Sequence, residues 1–145
     1  RRAAKRPPQH RRGGQRSPAS SRTPAEPDGS AHICLFIDGQ KAPTNQIAGM
    51  RLSLQPYGDV VATHVYLSEE KGKHPGMQKS LAEKDASAVV VERVSANRED
   101  PMDLMISYDI AQNLEQDIAI ASAGESVLKY AWILRRVADT GRKTF

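Results

Sequence analysis

Four acidic side chains are spaced so that they could bind a divalent cation. Asp38 ends the apolar run ICLFIDGQ, Asp103 opens a predicted helix, Asp109 follows six residues later, and Glu125 begins the last predicted helix. Carboxylates are the ligands that hard cations prefer, and a bound cation activates water and neutralises charge on a phosphodiester. The pattern therefore predicts a Mg²⁺ or Mn²⁺ site, with Asp38, Asp103 and Glu125 as catalytic ligands and Asp109 as a further metal-shell acid.

The elements that would position these acids alternate between strands and helices. Strand patterns cover residues 32–37, 59–67, 87–94 and 117–121, and helical patterns cover residues 45–54, 77–84, 102–114 and 125–138. Such alternation, with continuous apolar strands, predicts an α/β three-layer sandwich around a mostly parallel sheet. Residues 142–145 would begin a fifth strand. Either the domain, residues 31–145, is truncated at its C-terminus, or the sheet closes with four strands.

One edge of a parallel sheet gathers the ends of its strands and the starts of the following helices. Asp38, Asp103 and Glu125 are expected at that edge. Asp109 lies roughly 9 Å further along its helix than Asp103 and about 120° around it, so one metal ion would not contact both directly. Asp103 and Glu125 also have a structural interpretation, because acids in a first helical turn interact favourably with the helix dipole.

Residues 1–30 differ from the rest of the chain in charge and composition. They hold eight Lys and Arg against two acids, a local charge of +6, and five of the nine prolines, whereas residues 31–145 carry −2. Alanine is their only apolar residue type, so they cannot bury enough surface to offset the entropy of ordering, and we predict a disordered basic tail. The tail would attract RNA through counterion release. A linker and a transit peptide are the other interpretations.

Several classes of protein are disfavoured by the sequence. No apolar run approaches the roughly 20 residues of a membrane span, and no signal-peptide core is visible, which predicts a cytoplasmic protein without a membrane partner. Cys34 is the single cysteine, so an internal disulfide is excluded and a buried thiol is favoured. No glycine-rich nucleotide-binding loop is present. A homo-oligomer and a protein partner both stay open.

The last predicted helix combines an apolar stripe with a basic end. The residues at helical spacing, which predict packing against the sheet, are Val127, Leu128, Ala131, Leu134 and Ala138. The cations that are candidates to bind the phosphates of a nucleic acid, or else form an ordinary solvated surface, are Arg135, Arg136, Arg142 and Lys143.

Three segments resemble the successive motifs of NYN domains, which are LabA-like relatives of the PIN-like nucleases. They are FIDGQK, PMDLMISYDIAQNL and IAIASAGESVLKYAWILRRVADTGRKTF. The resemblance spans about residues 31–145 and implies a metal-dependent domain that cleaves RNA. Asp38 matches the first acid of the family, Asp103 and Asp109 match its helix pair, and Glu125 matches the first aspartate of its last motif.

The chain departs from the family pattern at positions that bear on catalysis. Gln40 and Lys41 replace a Glu-Asn pair, Asp100 stands in place of a lysine, and Val127 replaces the final aspartate. Lys41 could pair with Asp38 and occupy the place of the metal. The first hypothesis is therefore a Mg²⁺- or Mn²⁺-dependent ribonuclease, and the second is a catalytically degenerate domain that binds RNA or a protein partner. A phosphoacceptor module using Asp38 is a third, less favoured class.

Overall fold

A single parallel sheet organises the protein, whose computed structural model describes residues 31–92 and 101–145. Its strands are β1 (His32–Asp38), β2 (Asp59–Ser68), β3 (Ser87–Val91) and β4 (Asp117–Ala121), in the order β3-β2-β1-β4. Every neighbouring pair is parallel. The predicted parallel α/β fold is confirmed. The predicted disordered tail, and the last two residues of the predicted third strand, lie outside the described residues.

Helices cover both faces of the sheet and make the two outer layers of the sandwich. They are α1 (Ile47–Leu54), α2 (Glu69–Gly72), α3 (Pro75–Ala82), α4 (Pro101–Gln112) and α5 (Ala131–Asp139). One core cluster joins the sheet to α1 and α3, and the other joins it to α4 and α5. None of these helices is long and apolar enough to cross a membrane.

Strand β1 lies in the middle of the sheet and is buried on both sides. Ile33, Leu35 and Ile37 belong to the core under α1 and α3, whereas Cys34 and Phe36 belong to the core under α4 and α5. Because both faces of this strand are covered, its sequence reads as a continuous apolar run rather than an alternating one. Cys34 is buried, as predicted.

The predicted apolar stripe of the last helix is wrong at four of its five residues, and only Leu134 packs against the core. The segment starts as a 3₁₀ helix, Gly124–Tyr130, which has three residues per turn, and the α-helix begins only at Ala131. Val127 and Leu128 are consequently 44% and 74% exposed, and Ala131 and Ala138 are exposed as well. The residues that this segment buries are Tyr130, Ile133 and Val137.

The C-terminal residues pair with the outer edge of β4. The backbone N–H of Ile118 donates to the carbonyl of Lys143 at 3.0 Å, and the N–H of Phe145 donates to the carbonyl of Ile118 at 3.0 Å. The pairing between Ile118 and Thr144 is parallel. The segment predicted to begin a fifth strand therefore makes a single parallel bridge with β4, at the edge of a sheet that has four strands.

The order of the strands creates a topological switch point beside β1. The chain crosses from β1 to β2 through α1 on one face, and it crosses from β3 to β4 through α4 on the other face. Crossovers that leave on opposite faces open a crevice at the carboxyl ends of the two central strands. Asp38, the last residue of β1, lies in this crevice beside the end of β4.

Candidate functional site

Asp38 is held in place by the turn that follows it. Its side chain is buried, with 1% of the residue exposed, and its Oδ1 accepts a hydrogen bond from the backbone N–H of Gln40 at 3.0 Å. Its carbonyl accepts from the N–H groups of Lys41 and Ala42 at 3.1 and 2.7 Å. A Cβ on Gly39 would lie 2.6 Å from the carbonyl oxygen of Tyr66, so only glycine fits this turn. The Asp-Gly pair thus fixes a carboxylate at the mouth of the crevice.

The phenol of Tyr130 lies between two carboxylates. Its hydroxyl is 3.2 Å from Oδ1 of Asp103 and 3.5 Å from Oδ2 of Asp38. The hydroxyl of Ser122, just after β4, is also 3.5 Å from Oδ2 of Asp38. Burial, followed by the charge of Asp38, raises the pKa of Tyr130, so the phenol stays protonated. Because it has one proton, it donates fully to one acid at a time.

Asp103 has a second partner of opposite charge. Its Oδ2 is 2.7 Å from the ammonium nitrogen of Lys129, and the two side chains are 24% and 53% exposed. Lys129 directly precedes Tyr130 in the 3₁₀ helix, so neighbouring residues of one segment contact the two oxygens of Asp103. The positive charge of Lys129 and the neutral hydroxyl of Tyr130 together compensate the negative charge of Asp103.

Asp109 belongs to a separate contact. Its Oδ2 accepts a hydrogen bond from the hydroxyl of Tyr66 at 2.6 Å. Burial, with this hydrogen bond second, raises the pKa of Tyr66. Burial lowers the pKa of nearby His64, and the charge of Asp109 opposes that shift. Asp109 therefore interacts with β2, away from the contact that Asp103 makes with Tyr130.

Glu125 does not complete a ligand set with the other acids. It is exposed, as the second residue of the 3₁₀ helix. Across residues 31–92 and 101–145, no group of three or more His, Cys, Asp or Glu side chains is arranged to hold a metal ion. The structure brings together two of the predicted ligands, Asp38 and Asp103, through Tyr130.

The predicted phosphate-binding cations lie away from this pair. The backbone N–H of Lys143 donates to Oδ1 of Asp117 at 2.9 Å, at the start of β4, so Arg142 and Lys143 lie at the amino edge of the sheet. Arg135 pairs with Asp139 one turn later on α5. Arg136 is exposed near the end of the same helix. In residues 31–92 and 101–145, the ion pair of Asp103 is made by Lys129 and not by any of these four cations.

The donor set around the two acids does not fit a preformed metal site. Mg²⁺ commonly binds through one or two carboxylates together with water and substrate phosphate. Here Lys129 and Tyr130 contact both oxygens of Asp103, and Gln40, Ser122 and Tyr130 contact the oxygens of Asp38. This arrangement is that of a hydrogen-bonded acid pair. The Mg²⁺ or Mn²⁺ site stays a prediction.

Tyr130, Lys129 and Ser122 are site residues that the sequence reasoning missed. A signal for Tyr130 was present, because Tyr130, Ile133 and Val137 recur at the spacing of one buried helical face. The sequence analysis instead assigned the buried face to the stripe that contains Val127 and Leu128. Lys129 and Ser122 carried no comparable signal, since a lysine or serine in a polar connection is usually a surface residue.

The fold and the site define a class: a parallel α/β/α domain with a buried carboxylate, Asp38, and a half-buried one, Asp103, at its topological switch point. Comparisons with protein-family models, with curated proteins and with solved structures found no match.

Proposed function

We propose that this chain is an NYN-type domain that binds single-stranded RNA at the carboxyl edge of its sheet without cutting it. The observation that carries the proposal is the closed acid pair, in which Lys129 lies 2.7 Å from Asp103 and Tyr130 lies between Asp103 and Asp38. Buried carboxylates must be paired or hydrogen-bonded to be tolerated. Here side chains of the chain itself meet that need in the place where a metal ion would bind.

The case for RNA as the ligand rests on charge and on position. Open α/β sheets bind their ligands in the crevice at the carboxyl ends of the strands, which is where Asp38 lies. Lys41 is exposed at this edge and would attract phosphates. The +6 charge of residues 1–30 would add affinity that is independent of base sequence. The resemblance to NYN domains supports the same class of ligand.

The experiment measures binding and cleavage of one labelled single-stranded RNA. Native protein should bind the RNA and leave its length unchanged with Mg²⁺ or Mn²⁺, because the acids are already paired. Asp38→Asn should therefore leave the RNA length unchanged as well. Metal-dependent cleavage that is lost in Asp38→Asn and kept in the matched variant Asp109→Asn would contradict the proposal.

A second candidate, metal-dependent cleavage of RNA, is favoured by the convergence of Asp38 and Asp103 at the switch point. Asp38 and Asp103 would be the metal ligands in this case. The same assay distinguishes the candidates through Lys129→Ala, which removes the cation from Asp103. A Mn²⁺-dependent gain of cleavage in that variant would favour the nuclease. A cytoplasmic location remains a prediction of the sequence, and a homo-oligomer or a protein partner stays open.

A further inference from the structure

Two cavities lie side by side at the carboxyl edge, next to the turn that carries Asp38. Their volumes are about 410 and 390 Å³, and they share Thr44, Lys71 and Met77 in their walls. We call the pair the lysine groove, after its cationic lining residues Lys41, Lys71 and Lys84. The groove runs along the side of the sheet that α3 covers.

The lysine groove carries a surplus of positive charge. Three lysines face one acid, Glu70. Within the part of the chain that the structure describes, neither Lys41 nor Lys71 forms an ion pair, whereas Lys73, outside the groove, pairs with Glu69. Lys41 and Lys71 are thus available to a ligand with negative charge, whereas the ammonium group of Lys84 donates to the carbonyl and the hydroxyl of Ser80.

The charges near Asp38 favour one direction for a bound phosphate chain. A third cavity, of about 400 Å³, lies on the other side of Gln40 and is lined by Glu69 and Glu70. Glu69 is paired with Lys73 and Glu70 also lines the groove, but among the described residues in the wall of this third cavity no lysine or arginine would attract phosphate. Lys41, three residues after Asp38, lines the lysine groove instead. A phosphate chain that crosses the edge at Asp38 would therefore continue along the lysines.

We propose that the lysine groove binds two consecutive nucleotides of single-stranded RNA, with Lys71 between them and Lys41 at the end nearest Asp38. This inference rests on the proposed function. Cavities of roughly 300–1,000 Å³ are typical of small-ligand sites, so each compartment suits one nucleotide and is small for a base pair. Lysine binds phosphate as a flexible point charge, which predicts contact with the backbone rather than with particular bases.

The test compares lysines inside and outside the groove in the full chain. Affinity for labelled oligouridine is measured by fluorescence anisotropy over a series of salt concentrations. The double variant Lys41→Ala/Lys71→Ala should bind about tenfold more weakly, and its slope of log K against log salt should shrink by about 1.4, which corresponds to two phosphate contacts. The matched control is Lys79→Ala, an exposed lysine of α3 that lines neither cavity.

Each outcome decides between the groove and the broader function. Tenfold weaker binding to both oligouridine and oligoadenosine, with Lys79→Ala close to native, supports the inference. If the native protein binds RNA and the double variant has the same affinity as Lys79→Ala, the inference about the lysine groove is wrong. The proposed RNA binding would then still stand. Failure of the native chain to bind RNA overturns the proposed function. If native protein then binds uridine monophosphate and the double variant does not, the groove is a site for free nucleotides and the inference is wrong.

Discussion

Two tyrosines on the same side of the sheet contact carboxylates in different ways. Tyr66 donates to Asp109 alone, at 2.6 Å, and ties β2 to α4. Tyr130 lies 3.2 Å from Asp103 and 3.5 Å from Asp38, so one phenol serves two acids at longer range. In the contact between Tyr66 and Asp109, one hydroxyl donor serves one carboxylate. In the contact of Tyr130, Asp38 and Asp103 share one donor and each needs further hydrogen-bond partners. A ligand that supplies such a partner could therefore change the hydrogen bonds of these two acids.

Charge explains why the shared contact needs additional partners. Two carboxylates that face one phenol repel each other. Lys129 offsets this repulsion at Asp103, and the backbone N–H of Gln40 offsets it at Asp38. Asp109 requires no such set, because its contact with Tyr66 involves one acid and one donor.

The largest effect that separates the two contacts is expected from removing each phenol hydroxyl. Tyr130→Phe should lower the free energy of unfolding by about 2–3 kcal/mol, because Asp38 is buried and loses a donor that water cannot replace. Tyr66→Phe should cost about 1 kcal/mol, because Asp109 is only half-buried and water can take the place of the hydroxyl. Urea denaturation measures both. An equal or larger cost for Tyr66→Phe would remove the distinction.

A smaller effect is expected from the ion pair that completes the shared contact. A double-mutant cycle of Asp103→Asn and Lys129→Ala should give a coupling of about 0.5–1 kcal/mol, since Asp103 is partly shielded from solvent. The matched pair is Arg135 and Asp139, whose side chains are 80% and 50% exposed. Its coupling should be about 0.3–0.5 kcal/mol. A coupling near zero for Asp103 and Lys129 would indicate that the lysine does not hold the acid closed.

The smallest effect is expected in the alkaline dependence of stability. Burial raises the pKa of Tyr130 and of Tyr66, so above about pH 10 the unfolded chain loses phenolic protons that the folded chain keeps. The stabilisation is complete below that pH, and the free energy of unfolding falls as the pH rises beyond it. Tyr130→Phe and Tyr66→Phe should each make this fall shallower. Denaturation midpoints across the alkaline range test this, and an unchanged slope in both variants would contradict it.

The sequence predicted the scaffold better than the chemistry placed on it. Strand positions followed from apolar runs, and the meeting of Asp38 with Asp103 followed from the geometry of parallel sheets. Tyr130 was missed because two faces of this segment have helical spacing, one through Val127 and Leu128 and one through Tyr130, Ile133 and Val137. Periodicity alone does not say which face packs against the sheet. The placement of Lys143 at the amino edge depends on the C-terminal residues pairing with β4, which is a tertiary contact.

The pairing of the C-terminal residues with β4 has a consequence for aggregation between molecules. A bare strand edge offers unpaired N–H and carbonyl groups that can template aggregation with other molecules. Thr144 covers this edge opposite Ile118, and the ring of Phe145 packs 5.0 Å from that of Tyr57, which anchors the cover. Lys143, Thr144 and Phe145 thus cover the edge of β4 and hinder the pairing of another strand there. Among the strands described above, β3 is left as the edge through which intermolecular β-pairing would start.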